Sequence, residues 1–274
     1  MTFPHWPEYL MEAALLGGFM VSACAFGALL EHPASPANRR IPNPLMRRAL
    51  MGLAMGLTAV VLIYSPWGRQ SGAHMNPATT LTFLWLGKIQ PWDAVFYICA
   101  QVAGGILGVS LPSLVMKQAI RHPTVNYVVT VPGRAGVAAA WIGEIVISFG
   151  LMLVVLLSAN NADSAPYTGI LAGLLLAIYI TFEAPLSGMS LNPARTIGSA
   201  LPARQWRAFW VYLTAPICGM LLAAAAYNSL PAGRHVYCAK LDHCNDRRCI
   251  FRCEFAALQA TREAAISQTT RQTP

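Results

Sequence analysis

The chain is poor in charge. Of its 274 residues only 11% are Asp, Glu, Lys or Arg, while 55% are hydrophobic. Soluble domains carry about a quarter charged residues, so this composition excludes an ordinary soluble globular protein. Glycine (21) and proline (19) are scattered between apolar runs, with no period and no low-complexity block, which excludes a collagenous or disordered chain. The first residues, MTFPHWPEYLM, lack a basic stretch and a cleavage site, so no signal peptide is expected. A net charge of +8 comes from basic residues in connectors and in a tail, where lipid headgroups rather than nucleic acid are the expected partner.

What is present is a set of long apolar runs. Six stretches, at 9–31, 46–66, 92–116, 137–159, 166–185 and 207–229, approach the ~20 residues that cross a bilayer as a helix. Two shorter pieces, near 76–87 and 192–202, are too short to span and read as re-entrant segments. Loop 32–47, rich in Pro, Asn and Arg, reads as an exposed connector. Six spans put both termini on one side, and the loop charges leave open which side that is.

The chain contains an internal repeat. Residues 71–80 read SGAHMNPATT and residues 187–196 read SGMSLNPART, identical at six of ten positions. Each copy follows the second span of a group of three. Glu12 and Glu144 lie in the first span of each group, and Gly104 and Gly219 in the third. An odd number of spans per half inverts the second half relative to the first. The expected fold is therefore an all-α membrane protein of six transmembrane helices and two re-entrant half-helices, in inverted three-span repeats of about 8–116 and 137–229. Residues 1–229 are expected to form the repeated domain and 230–274 a cysteine-containing tail.

Asn is a good helix N-cap and Pro is favoured at the first helical position. Asn76-Pro77-Ala78 and Asn192-Pro193-Ala194 should each start a short helix, running to about Leu86 and to Leu201, where Pro202 should end it. Each is roughly 14–15 Å long, half the hydrocarbon thickness. Entering from opposite faces, they meet N-terminus to N-terminus. Non-helical backbone at that depth is tolerated only inside protein or beside water, so the loops before the triplets point to a pore, lined by Asn76, Pro77, Ala78, Asn192, Pro193 and Ala194. Two half-helix dipoles and two amide donors at its centre repel cations and favour water or a small neutral solute. A secondary transporter coupled to an ion is the competing class, because inverted repeats and broken helices occur there too. The spans carry no chain of coupling carboxylates beyond Glu12, Glu144 and Glu183, and no nucleophile–base or His/carboxylate metal set that would indicate an enzyme.

These residues resemble the major intrinsic protein family, the aquaporins and aquaglyceroporins, over about residues 8–229. The resemblance rests on the paired triplets, Arg195 directly after the second, and Glu12 and Glu144 in matching spans. It implies a homotetramer with one pore per subunit in the plasma membrane, cytoplasmic termini, no cofactor, and a filter on the extracellular side of the triplets formed by Met55, Ile180, Met189 and Arg195. His74 matches a vestibule position of the family; a packed or capping histidine is the competing reading. The filter departs from the water-specific set, which has Phe first and His where Ile180 sits, and lacks the two aromatics of typical glycerol channels. Thr196, Ala200 and Phe209-Trp210 look more like water channels, whereas the segment around the second triplet is similar to nodulin-type channels in a sequence of otherwise bacterial type. Glycerol, hydrogen peroxide and metalloid hydroxides thus stand beside water as cargo.

Glu12 and Glu144 are expected to accept hydrogen bonds from the backbone of the two re-entrant loops, a structural role. Glu183 is expected to anchor the loop that follows it by pairing with an arginine. Cys24, Cys99 and Cys218 lie in spans and are expected to pack. The tail carries Cys238, Cys244, Cys249 and Cys253, with His235 and His243 interleaved. Clustered thiols of this kind bind a metal such as zinc, respond to redox state, or have no defined role; no C-x2-C pair decides between them. Cys249 and Cys253, four apart, would share a face if helical.

Overall fold

The protein is described by a computed structural model over residues 5–230 and 235–260. Positions 1–4, in the N-terminal stretch considered for a signal peptide, and 231–234 and 261–274 of the tail, lie outside the described residues. The elements are α1 (Trp6–Glu31), α2 (Pro36–Arg40), α3 (Pro44–Tyr64), α4 (Pro66–Ser71), α5 (Pro77–Trp85) and α6 (Pro91–Val115), then α7 (Lys117–Arg121), α8 (Val137–Ala159), α9 (Thr168–Phe182), α10 (Ala184–Ser187), α11 (Pro193–Ala203) and α12 (Phe209–Asn228). No strand occurs among the described residues. Helices α1, α3, α6, α8 and α12, and α9 taken together with the 3-10 turn before it (Ala165–Phe182), are long and apolar enough to cross a bilayer. They fall on the six expected stretches, and α5 and α11 on the two short ones.

A simple grammar starts these helices. Ser35-Pro36, Asn43-Pro44, Ser65-Pro66, Asn76-Pro77 and Asn192-Pro193 all place a polar side chain at the N-cap and Pro in the first turn. In each case the side chain accepts a hydrogen bond from a backbone N–H of the first turn, satisfying a donor that has no partner within the helix. Helix α11 runs past Pro202 to Ala203 instead of ending before it. The proline sits in the last turn, and the backbone closes beyond it through Gln205 N–H on the Ala200 carbonyl at 3.1 Å.

Packing follows the inverted repeat. Helix α1 lies against α6, α8 against α12, and α3 against α9 joins the halves. With lipid tails as apolar as leucine, such contacts depend on close approach at small residues. A Cβ on Gly56 of α3 would lie 2.5 Å from the Gly173 carbonyl oxygen of α9, so only glycine fits there. Each half-helix packs on the third span of the opposite half: α11 on α6, and α5 on α12. This crossed arrangement holds two nine-to-eleven-residue helices in place that could not span by themselves.

Exposed tryptophans mark the two faces. Trp6, Trp67, Trp85 and Trp92 sit at helix ends on one side, and Trp206 and Trp210 at the start of α12 on the other. Cys24 is buried as expected, but Cys99 and Cys218 are exposed on outward faces of α6 and α12, where a small polarizable side chain is as compatible with lipid as with a core.

Candidate functional site: a pore between the half-helices

The two re-entrant loops have the same backbone. Gly72 and Gly188 lie at φ 91° and 87°, Ala73 and Met189 at 54° and 52°, Met75 and Leu191 at 48° and 59°. Four of these are non-glycine residues in the left-handed region, which costs about 1–2 kcal/mol each. Something must hold them there. In the first loop Glu12 accepts from Ser71 Oγ (2.8 Å), His74 N–H (3.0 Å), Met75 N–H (2.6 Å) and Gln101 Nε2 (2.8 Å). In the second, Glu144 accepts from Ser187 Oγ (2.7 Å), Ser190 N–H (2.6 Å) and Leu191 N–H (2.8 Å). Both carboxylates are fully buried. Each therefore replaces water for backbone donors that the loop cannot satisfy internally.

Two further supports were not anticipated. Tyr97 of α6 donates to the Ser71 carbonyl at 2.7 Å, and Tyr212 of α12 to the Ser187 carbonyl at 2.5 Å. Their signal is in the repeat: Tyr97 precedes Gly104, and Tyr212 precedes Gly219, by the same interval. The identical Thr80 and Thr196 are buried hubs. Thr80 binds His74 Nδ1 and Gln101, while Thr196 binds Thr130 and Ser190.

The half-helices meet at their asparagines. Asn76 Nδ2 donates to the Leu191 carbonyl at 2.8 Å, and Asn192 Nδ2 to the Met75 carbonyl at 2.7 Å, a crossed pair between the loops. The side-chain oxygens cap their own helices, receiving Ala78 N–H at 2.9 Å and Ala194 N–H at 3.0 Å. An amide nitrogen carries two protons, so each asparagine keeps one N–H beyond the crossed bond.

Two cavities adjoin this centre. One, of about 110 Å³, is lined by Asn76, Asn192, His74, Thr79 and Arg195 among apolar side chains. It has room for several waters, since one needs roughly 10–15 Å³. The other, of about 380 Å³, takes in Met55, Ile180, Met189 and Arg195, the four positions assigned to the filter, together with Met51, Arg48 and Phe19. Arg195, Phe19, Leu176 and Ser190 border both. Arg195 Nη1 is buried without a hydrogen-bond partner among the described residues. In the first repeat the matching position is Thr79, so the cation breaks the symmetry on one side only.

Some sequence expectations change. Pro77, Ala78, Pro193 and Ala194 border neither cavity. They are buried at the first turns and let the half-helices pack closely; the Ala194 carbonyl would lie 2.7 Å from a Cβ on Gly105. Among the described residues Glu183 meets no arginine; its carboxylate is buried, and one oxygen packs over Gly143 of α8. His74 borders the small cavity and is also packed. Its ring stacks between Phe83 and Phe251, and its Nε2 pairs with the Ala239 carbonyl at 2.9 Å.

That last contact comes from the tail, which folds back onto the first re-entrant loop. Leu241 N–H donates to the Gly72 carbonyl at 3.1 Å, and the Leu241 side chain borders the small cavity. Arg69–Asp242 and Lys88–Glu254 ion pairs flank it. Residues 249–253 are not helical; the helix begins at 255. The side chains of Cys238, Cys249 and Cys253 nevertheless gather, with His243 as the fourth member; Cys244 is exposed and outside the group. Hydrogen bonding with Cys238 holds the Cys249 and Cys253 thiols below the ordinary thiol range, in each case against the effect of burial.

The family described as Major intrinsic protein matches residues 6–227. The chain is 40% identical over 175 residues to Aquaporin NIP6-1 of Arabidopsis thaliana, covering 63% of this chain and 55% of that one. It is 31% identical over 229 residues to Aquaporin NIP1-2 of Oryza sativa subsp. japonica, covering 81% and 71%. The chain thus spans little more than half the length of the first of these relatives. The fold is similar to the aquaglyceroporin from Plasmodium falciparum, with a TM-score of 0.66 at 19% identity, covering 82% of this chain and 96% of that one. The similarity to nodulin-type channels is reflected in these plant relatives, whereas the bacterial type is not borne out by them.

Proposed function

The chain belongs to the major intrinsic protein family, and on that premise we propose that it is a passive transmembrane channel for water and small uncharged solutes that excludes protons and other ions. It is not an enzyme. The observation that carries the reading is the crossed asparagine pair beside a cavity bordered by Arg195. At this point two helix N-termini of about +0.5 charge each face one another. A passing water accepts from the free N–H of Asn76 and of Asn192 and so turns its oxygen to the centre. A cation loses its hydration there and meets only positive potential.

Selectivity follows from the larger cavity. Met55, Ile180 and Met189 offer an apolar wall and Arg195 offers donors, so a solute with a hydrocarbon edge and hydroxyls opposite is matched on both sides. This favours glycerol-like polyols and other small hydroxylated molecules in addition to water. The relatives' printed name, aquaporin, supports the water part of this range. We further place the chain in the plasma membrane as a homotetramer with cytoplasmic termini, which puts the tail and Trp6 on the cytoplasmic face.

Stopped-flow light scattering on proteoliposomes tests the reading. Water and glycerol shrinkage should be faster than in empty vesicles, should not saturate at low solute, and should not change when an ion gradient is imposed. Flux that needs an ion gradient would instead establish the coupled transporter.

A further inference from the structure

We infer that Cys238, His243, Cys249 and Cys253 form a tetrahedral zinc site that locks the tail as a stopper over the pore mouth built by the first re-entrant loop. Their ligand atoms all lie within 4.8 Å of one another, with Cys238 Sγ and Cys249 Sγ 3.6 Å apart and Cys253 Sγ 2.9 Å from His243 Nε2. A tetrahedral zinc with Zn–S of about 2.3 Å and Zn–N of about 2.0–2.1 Å sets its ligand atoms about 3.5–3.8 Å apart. Changes of up to about 1 Å in the separations therefore bring all four to bonding distance. Three thiolates and one imidazole are a closed, structural set that leaves no position for a substrate, and they select zinc over hard cations.

The surroundings fit a bound metal. Lys240, 1% exposed, is buried beside the group, and the charges acting on it are those of Cys249, Cys238, Cys253 and Asp242. Thiolates bound to zinc leave one net negative charge, which this ammonium offsets. Residues 235–254 contain neither helix nor strand, so regular backbone hydrogen bonding does not hold this segment together. A metal that binds only the ordered form adds its binding energy to that order.

The link to the pore is covalent proximity. The span from Cys238 to Cys253 contains contacts made with the mouth, among them the Ala239 carbonyl on His74, Leu241 on Gly72 and in the cavity wall, and Phe251 stacked on His74. Closing the loop with zinc therefore holds the stopper, and removing the metal releases it.

The effect on flux rests on the channel reading; the metal site does not. Full-length protein, purified with reductant and zinc and then dialysed, should carry a single zinc per chain by elemental mass spectrometry. Cys249→Ser and Cys253→Ser should lose it, and Cys244→Ser should retain it. Reconstituted vesicles should be more permeable to water from zinc-free than from zinc-loaded protein, with zinc restoring the lower rate and Cys249→Ser high in both conditions. Wild-type protein without zinc, or zinc retained equally in Cys249→Ser, overturns the site. Equal permeability of loaded and zinc-free protein overturns the stopper. Vesicles impermeable in every state overturn the channel reading and the stopper together, while the stoichiometry still decides the site.

Discussion

The buried carboxylate at Glu144 can be removed in two ways of different severity. In Glu144→Ala, Ser190 N–H and Leu191 N–H, at 2.6 and 2.8 Å from the carboxylate, lose their acceptor inside the protein. Each buried donor left unsatisfied costs about 1–3 kcal/mol, so the pair costs about 2–6 kcal/mol. Met189 and Leu191 meanwhile remain in the left-handed region that costs about 1–2 kcal/mol each. Against a total stability of about 5–15 kcal/mol, this variant should fail to accumulate as folded protein. Glu144→Gln keeps one acceptor oxygen but turns an NH2 toward a backbone donor, losing one of the two bonds at about 1–3 kcal/mol. At roughly 2–4 °C per kcal/mol for a chain of this size, the transition in detergent should fall by about 2–12 °C. Thermal unfolding followed by size-exclusion chromatography reads both. The ratio of water to glycerol permeability per folded molecule should stay at the wild-type value, because Glu144 borders neither cavity. Glu144→Ala that accumulates and melts like wild type would refute the argument, as would a Gln variant with wild-type stability and altered selectivity.

Three further outcomes follow from the same geometry. Ile180→His places a ring and a polar nitrogen in the wall of the larger cavity; in vesicle assays it should reduce glycerol flux before water flux, and equal reduction of both would remove Ile180 from the filter. Tyr97→Phe and Tyr212→Phe each delete one bond to a loop carbonyl and should each destabilise by about 1 kcal/mol; the two losses, measured as melting shifts, should add, since the sites share no partner. Asn43→Ala and Asn192→Ala both remove an N-cap worth about 1 kcal/mol, but only the second removes a donor from the cavity centre. Water permeability should therefore fall in Asn192→Ala and be unchanged in Asn43→Ala.

The contrast between Asn43 and Asn192 shows how much of the site was legible. Both begin an Asn-Pro helix start, and both caps form as local rules demand. What distinguished Asn192 in the sequence was its partner copy at Asn76 with matched flanks. The repeat also carried Tyr97 and Tyr212, whose equal spacing to Gly104 and Gly219 marks them as equivalents. Other features had no such marker. Pro77, Ala78, Pro193 and Ala194 belong to the motif yet border neither cavity, because a motif records what the helix ends need as well as what the cavity shows. Glu183 is next to an apolar span, and nothing local says that its carboxylate turns onto Gly143 rather than toward an arginine.

Helix placement, the two half-helices and the inversion were all determined along the chain. They depend on apolar run length, on caps at neighbouring positions and on an odd number of spans, and these are one-dimensional properties. The fourth member of the thiol group, His243 instead of Cys244, and the docking of Leu241 and Phe251 on the first loop were decided only in three dimensions. Residues 235–254 have no periodic backbone to set side-chain direction, so which ring or thiol turns inward depends on the surface they fold against, and that surface is assembled from distant helices.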